Sequence, residues 1–215
     1  MRSRAVQTIL VDPKLGTHQE TILAAAKASL LSLAAADRTA DLWTEWLSGP
    51  MTKIVKTTSR SKMRQAIKDV PGAQCWSEGE AFAIAFPPAD REDQHLLLAK
   101  ARVGEIQRSR QRKATPIPVL DSGVLLIVRK DLHMSTGKAA AQAGHALTKL
   151  ATIHPELLEP DVALDAVQQV TLMEMPGDDL MACVEGFGAA AVIFDSGRTE
   201  IPAGSLTAAA ILGRL

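Results

Sequence analysis

One order of elements is written twice along the 215 residues of this chain, and it confines the fold more tightly than any single motif: strand, alanine-rich helix, short helix, strand, helix, strand, strand. In the first half, apolar alternation and breaker residues predict a strand over Val6–Val11, a helix from Thr17 to Ala36 and a short helix over Ala40–Leu47. Thr17 reads as the N-cap of the long helix, with Glu20 completing a capping box. Ser48-Gly49-Pro50 stops the short helix and Thr52–Thr58 alternates as a strand. Ser59 or Ser61 caps a helix that ends at Pro71-Gly72, and strands follow over Ala73–Trp76 and Ala81–Phe86. The second half predicts a strand over Val124–Val128, a helix over Ser135–Ile153, helical turns over Pro155–Ala166 and a strand over Gln169–Met175. A helix over Asp178–Glu185 and strands over Ala189–Phe194 and Leu206–Leu212 complete it. Val128–Leu147 lies on Val11–Leu30 without a gap, pairing Leu132 with Leu15, Ala141 with Ala24, Ala143 with Ala26 and Leu147 with Leu30. The expected class is α/β, each half a mixed sheet flanked by helices. A chain of this length supplies one large domain or two of about 100 residues, each able to bury a core.

Lys+Arg and Asp+Glu are equal at 24 and 47% of residues are hydrophobic, a globular balance rather than a disordered one. The longest apolar run, Ile22–Ala36, is broken by Lys27, Ser29 and Ser32 and falls short of the roughly 20 residues of a membrane span. Met1–Val11 lacks the apolar stretch of a secretory signal, so a cytoplasmic, membrane-free protein is expected. Cys75 and Cys183 have no C-x-x-C partner and read as small buried hydrophobes. Zero net charge argues against indiscriminate nucleic-acid binding, which needs many uncompensated cations. The basic residues are nonetheless clustered. Lys53, Lys56, Arg60, Lys62, Arg64 and Lys68 follow one another with no acid between them, either a phosphate-binding face or a solvated helix face. A second knot, Arg108, Arg110, Arg112 and Lys113, precedes Pro116 and Pro118 and reads as a solvated linker.

Several familiar chemistries fail on spacing. Ser135-Thr136-Gly137-Lys138 lacks the first glycine and the final hydroxyl of a phosphate-binding P-loop, having Leu132 and Ala139 there. Gly186-Phe187-Gly188 runs into a strand where a dinucleotide turn runs into a helix. The five histidines have no metal-ligand spacing, no serine sits in a nucleophile elbow, and no cofactor is expected. What remains is Val124–Leu147 and the distant Phe194–Thr207. Lys138, Gln142 and His145 fall on one face of an alanine-rich helix. Polar groups on such a face need partners, because burial unpaired costs about 1 to 3 kcal/mol each.

These segments resemble the type II peptidyl-tRNA hydrolases. The family's strand, loop and G-K-x-x-x-Q-x-x-H-A is matched at Gly137, Lys138, Gln142, His145 and Ala146, and its D-x-G-x-T-[QE] followed by G-x-x-T at Asp195, Gly197, Thr199, Glu200, Gly204 and Thr207. A third stretch, Trp46 to Val55, is similar to the family's W-x-x-x-G-x-x-K-I-V, yet precedes both motifs instead of lying between them. Either the domain is circularly permuted, or two shortened copies are fused. The length favours fusion: a degenerate copy over 1–103, a linker over 104–122 and a copy carrying the motifs over 123–215, forming a pseudo-dimer within a monomer. At the positions of Lys138, Gln142 and His145 the first copy has Thr21, Ala25 and Ala28, so it is expected to be inactive.

The resemblance implies hydrolysis of the ester joining a peptide to tRNA. Lys138 would bind the terminal phosphate or stabilise the oxyanion, and Asp195 would orient Lys138 or activate water, the two approaching within hydrogen-bond reach. His145 is either a proton acceptor or a satisfied core histidine; Thr199 and Thr207 either position water or hold the loop. Gln142 would bond either backbone or the tRNA end, Gly137 would contact the substrate, and Lys53, Lys56, Arg60 and Arg64 the tRNA phosphates. The competing class is a non-catalytic RNA-binding or regulatory protein, motivated by the missing tryptophan–lysine stretch in the second copy. A third reading is hydrolysis of another acyl ester.

Overall fold

The computed structural model describes residues 4–103, 106, 108–110, 123–187, 190–197 and 200–213. In the first half, β1 (Ala5–Val11) leads into α1 (His18–Ala34), α2 (Asp41–Ser48), β2 (Lys53–Thr57), α3 (Arg60–Asp69), β3 (Gln74–Glu78) and β4 (Ala81–Ala85). The expected capping box forms: the Thr17 hydroxyl accepts the Glu20 N–H, and the Glu20 carboxylate accepts the Thr17 N–H at 2.7 Å. Two elements follow where the sequence suggests only a charged segment, β5 (Ala89–Asp90), paired with β1, and α4 (Leu96–Ala99). They form because Leu98 has a core to enter, a long-range gain that local composition conceals. The second half runs β6 (Val124–Arg129), α5 (Thr136–Ile153), a 3-10 turn (Pro155–Leu158), α6 (Pro160–Gln168), β7 (Val170–Met175), α7 (Gly177–Phe187), β8 (Ala190–Phe194) and β9 (Leu206–Leu212).

The two sheets share one plan. The first has the order β2-β1-β4-β3 and the second β7-β6-β9-β8, in each case one parallel pair followed by antiparallel ones. Even the register agrees, with Gln7 opposite Lys53 in one and Val124 opposite Val170 in the other. Among the described residues no strand of one half pairs with a strand of the other.

Period-2 alternation makes both central strands two-faced. Ile9 and Val11 look toward α1, whereas Leu10 packs with Met63 and Ala66 of α3. Leu126 and Val128 look toward α5, whereas Leu125 and Ile127 pack with Leu180 of α7. Helices α1 and α5 meet within one continuous core, and their alanines permit it: Ala24, Ala25, Ala28, Ala139, Ala140 and Ala143 are all buried there. Gly144 lies close enough to α1 that an added Cβ would sit 3.8 Å from the Cβ of Ser29.

Three expectations change. Cys75 is exposed on the edge strand β3 and Cys183 is partly exposed, so neither is a core residue. The segment between the halves is no free linker where it is described, since Ile106 and Ser109 accept main-chain hydrogen bonds from Thr136 and His18. Arg112 and Lys113 lie outside the described residues. No described helix is long and apolar enough to cross a membrane.

Candidate active site

The first turn of α5 is built to hold a lysine. Ser135 is its N-cap, and the Ser135 hydroxyl accepts the Lys138 N–H at 3.2 Å. Ser135 is itself braced from the loop between β8 and β9: its N–H and hydroxyl both donate to Glu200 Oε1, at 3.0 and 2.9 Å. That loop spans 195–205, whereas its counterpart in the first half is the tight hairpin Gly79-Glu80.

Asp195 stands at the start of this loop and is fixed from two sides. Its N–H donates to Ser205 O and its carbonyl accepts the Gly204 N–H at 2.7 Å. Asp195 Oδ1 accepts the Gly197 N–H at 2.7 Å, and Asp195 Oδ2 accepts from the Lys138 ammonium and from Gln142 Nε2, the latter at 2.9 Å. The Asp195 and Lys138 side chains retain 5% and 12% exposure, so their pairing is charge-assisted and mostly shielded from water. Gln142 is held in turn by the Thr207 hydroxyl, 2.8 Å from Gln142 Oε1 and 3.1 Å from Ile193 O. Lys138, Gln142, Asp195 and Thr207 thus form one connected network across α5, β8 and β9. Three donors converge on the two oxygens of the Asp195 carboxylate, which ties Lys138 to Gln142 and to the Gly197 backbone.

His145, one turn beyond Gln142, is partly buried. Desolvation, with the positive charges of Lys53 and Lys138, pushes its pKa down to about 3. The imidazole is therefore neutral at physiological pH, a hydrogen-bonding group that resists becoming a cation. Lys53 comes to the neighbouring turn of α5 from β2 of the first half. Its methylenes lie against Gly144, its ammonium donates to Gln7 Oε1 at 3.0 Å and sits 4.1 Å from the centroid of the Trp46 ring, and burial pushes its pKa well below the usual lysine range. Ser29 donates to the same Gln7 oxygen at 2.7 Å.

The expected phosphate-binding face of Lys53, Lys56, Arg60 and Arg64 does not form as one surface. Successive β2 side chains point to opposite faces, so Lys53 enters the core between the halves while Lys56 points the other way and donates to Leu98 O at 2.8 Å. Arg60 is held by Asp12 at 2.9 Å, and Arg64 is exposed on α3, across the first sheet from α1. Gly137 has its open side filled by Ile106, whose side chain would lie 3.2 Å from an added Cβ. Thr199 lies outside the described residues. In the first half, Thr21, Ala25 and Ala28 are buried, and the Thr21 hydroxyl bonds Thr17 O within its own helix. Two contributors were not expected. Glu200 was visible as a motif position without a role, and Lys53, expected on a phosphate-binding surface, instead enters the core against Gly144 of α5. Among the described residues no group of three or more His, Cys, Asp or Glu is placed to hold a metal ion.

Comparison with known proteins meets this geometry from another direction. The peptidyl-tRNA hydrolase PTH2 family matches residues 123–213, the half that carries the network. A protein of Bos taurus named mitochondrial peptidyl-tRNA hydrolase 2 is 31% identical over 129 residues, covering 50% of this chain and 69% of the relative. Its namesake in Homo sapiens is 31% identical over 126 residues, covering 52% and 66%.

Proposed function

From a chain that belongs to the type II peptidyl-tRNA hydrolase family, we propose a peptidyl-tRNA hydrolase that cleaves the ester between a peptide and the terminal ribose of tRNA. The observation that carries the proposal is the Lys138–Asp195 pair, locked by Gln142, Thr207 and the Glu200 brace at the start of a helix. Water adds to the ester carbonyl carbon, negative charge develops on the carbonyl oxygen, and as the bond to the ribose oxygen breaks that oxygen takes up a proton given up by the attacking water, leaving the peptide acid and the ribose hydroxyl. Lys138 supplies positive charge for the oxyanion, reinforced by the N-terminal end of the α5 dipole. Neutral His145 accepts a hydrogen bond from the attacking water and orients it. Thr199 is assigned to water or loop positioning by its place in the motif alone. Arg60 and Arg64 remain the candidates of the first basic stretch for phosphate contact.

We further infer that the chain is a fused pair, 1–103 and 123–215, with one working site, in which the two halves play the part of two subunits. Matching strand order and register support this reading, as does the absence, among the described residues, of the cross-half strand pairing that a permuted domain would need. The seating of Lys53 against Gly144 on α5 supports the catalytic reading over the non-catalytic one, because a lysine from the first half comes to this helix where β7 has Val170. A monomer in the cytoplasm belongs to the same proposal. The test is purified protein with peptidyl-tRNA, product separated on a gel: release of deacylated tRNA is expected from the wild type and not from Lys138→Met. Hydrolysis by neither would overturn the assignment.

A further inference from the structure

The second basic knot plays no part in the Lys138–Asp195 network, yet it is where the described chain passes between the halves. The carbonyl of Ser109 accepts the N–H of His18, first residue of α1, at 2.9 Å, and the carbonyl of Ile106 accepts the N–H of Thr136, first residue of α5, at 2.8 Å. The flanking arginines divide in the same way. Arg108 Nη2 donates to Asp12 O in the loop after β1, and Arg110 Nη2 donates to Met134 O, at 3.4 Å, in the loop after β6. The same two loops expose Lys14 and Lys130. Four cations are thus collected where both long helices begin, and Ile106, packed against Gly137, ties them to the turn that carries Lys138.

The carboxylates nearby are engaged elsewhere. Asp12 pairs with Arg60 at 2.9 Å, Asp131 with Arg129 at 2.8 Å, and Asp195 with Lys138. Glu174 faces His18 at 3.3 Å, accepts from Gln19, and reaches Arg110 only at 3.9 Å. The hydrogen bonds of both arginines go to neutral carbonyls, Glu174 lies at 3.9 Å from Arg110, and Asp12, which also acts on Arg108, is shared with Arg60. A cluster of this kind is what a run of phosphates selects, guanidinium forks above all.

We propose that Lys14, Arg108, Arg110 and Lys130 form a phosphate-binding rim beside the Lys138–Asp195 site, and that its ligand is the RNA backbone leading to the reacting ester. The proposal rests on the tRNA reading but not on turnover, and its test uses a probe that cannot react. Deacylated tRNA is titrated into the full chain over a series of salt concentrations. The double variant Lys14→Glu with Arg110→Glu is expected to lower affinity ~10-fold or more at low salt and to reduce the log–log salt slope by about 2. Arg110→Gln, which keeps a donor for Met134 O and guards against misfolding, is expected to reduce the slope by about 1. Unchanged affinity and slope in both variants overturn the rim, even if the wild type hydrolyses peptidyl-tRNA. Reduced affinity in variants of a wild type that hydrolyses nothing keeps the rim and retires the hydrolase.

Discussion

Asp195→Asn tests whether the network is a working unit, because it alters charge with almost no change of shape. In the wild type, Oδ2 receives two donors, the Lys138 ammonium and Gln142 Nε2, and Oδ1 receives the Gly197 N–H. An asparagine has one acceptor oxygen. If that oxygen stays on Gly197, the new amide donor faces Lys138 and Gln142; if it turns to them, the amide faces the Gly197 N–H. Either orientation sets donor against donor in a site where the side chain retains 5% exposure. Each buried donor left without a partner costs about 1–3 kcal/mol, so a loss of stability of roughly 2–6 kcal/mol bounds the damage from above. Turnover should fall by about 10² to 10³, the size of losing one preorganised donor to an oxyanion, since Lys138 loses its orienting partner. The assay is single-turnover hydrolysis of peptidyl-tRNA at saturating protein, with thermal melting run in parallel. A double-mutant cycle sharpens it: Lys138→Met combined with Asp195→Asn should be scarcely worse than Lys138→Met alone, because a pair acting as one unit is lost only once. A variant within about threefold of wild type, or losses that multiply, would refute the reasoning.

The remaining predictions concern the supports of the site. Glu200→Ala should reduce turnover by loosening the Ser135 cap while Glu200→Gln, which keeps Oε1 as an acceptor, restores most of it; equal loss in both, measured as initial rates, would dismiss the brace. Gly197→Ala forces a side chain onto a backbone with φ +73 and to within 2.6 Å of the Ala203 Cβ, so a melting-point decrease equivalent to at least about 1–2 kcal/mol is expected, together with reduced hydrolysis. Burial is the main cause of the low His145 pKa and the Lys53 and Lys138 charges add to it, so in Lys53→Met an NMR titration of the imidazole should show its pKa rising; an unmoved titration would contradict the influence of Lys53. His145 also carries a pH dependence whose sign is fixed. Its folded pKa of about 3 lies below the ~6.5 of the unfolded chain, so its contribution to stability is full above pH ~6.5 and is lost as pH falls through 3. Urea midpoints at neutral and acid pH should therefore lie closer together in His145→Gln.

Local chemistry explains what could be foreseen. The Thr17–Glu20 capping box and the central strands β1 and β6 are encoded within a few residues, and they are found where the sequence predicts them. The meeting of Lys138 with Asp195 was legible only through the two family motifs, for nothing in either segment names the other. Lys53 shows why the rest was hidden. As part of a basic stretch it reads as surface, and only the alternation of β2, set against a partner helix with Gly144 at the contact, turns it inward. Arg108 and Arg110 misread in the same direction: their composition is that of a linker, and their structure is set by main-chain bonds to helices far away in sequence.

The placement of Lys53 bears on why one half can do without a site of its own. On the fusion reading, each helix of the central pair is exposed to the other half, so a substitution in one half changes the environment of both. Gly144 leaves room for the Lys53 methylenes, and the position matching it on α1 is Lys27, which turns instead to Glu78 at 2.7 Å and to the face of Trp76. The two positions have diverged in opposite ways, one emptied to admit a lysine from across the interface and one filled by a lysine that stays at home. Restoring Lys, Gln and His at Thr21, Ala25 and Ala28 would therefore fail to create a second site. Lys27 would still stand where the second half has Gly144, β7 would offer Val170 where β2 offers Lys53, and the first half has the tight hairpin Gly79-Glu80 where the second has the loop that carries Asp195.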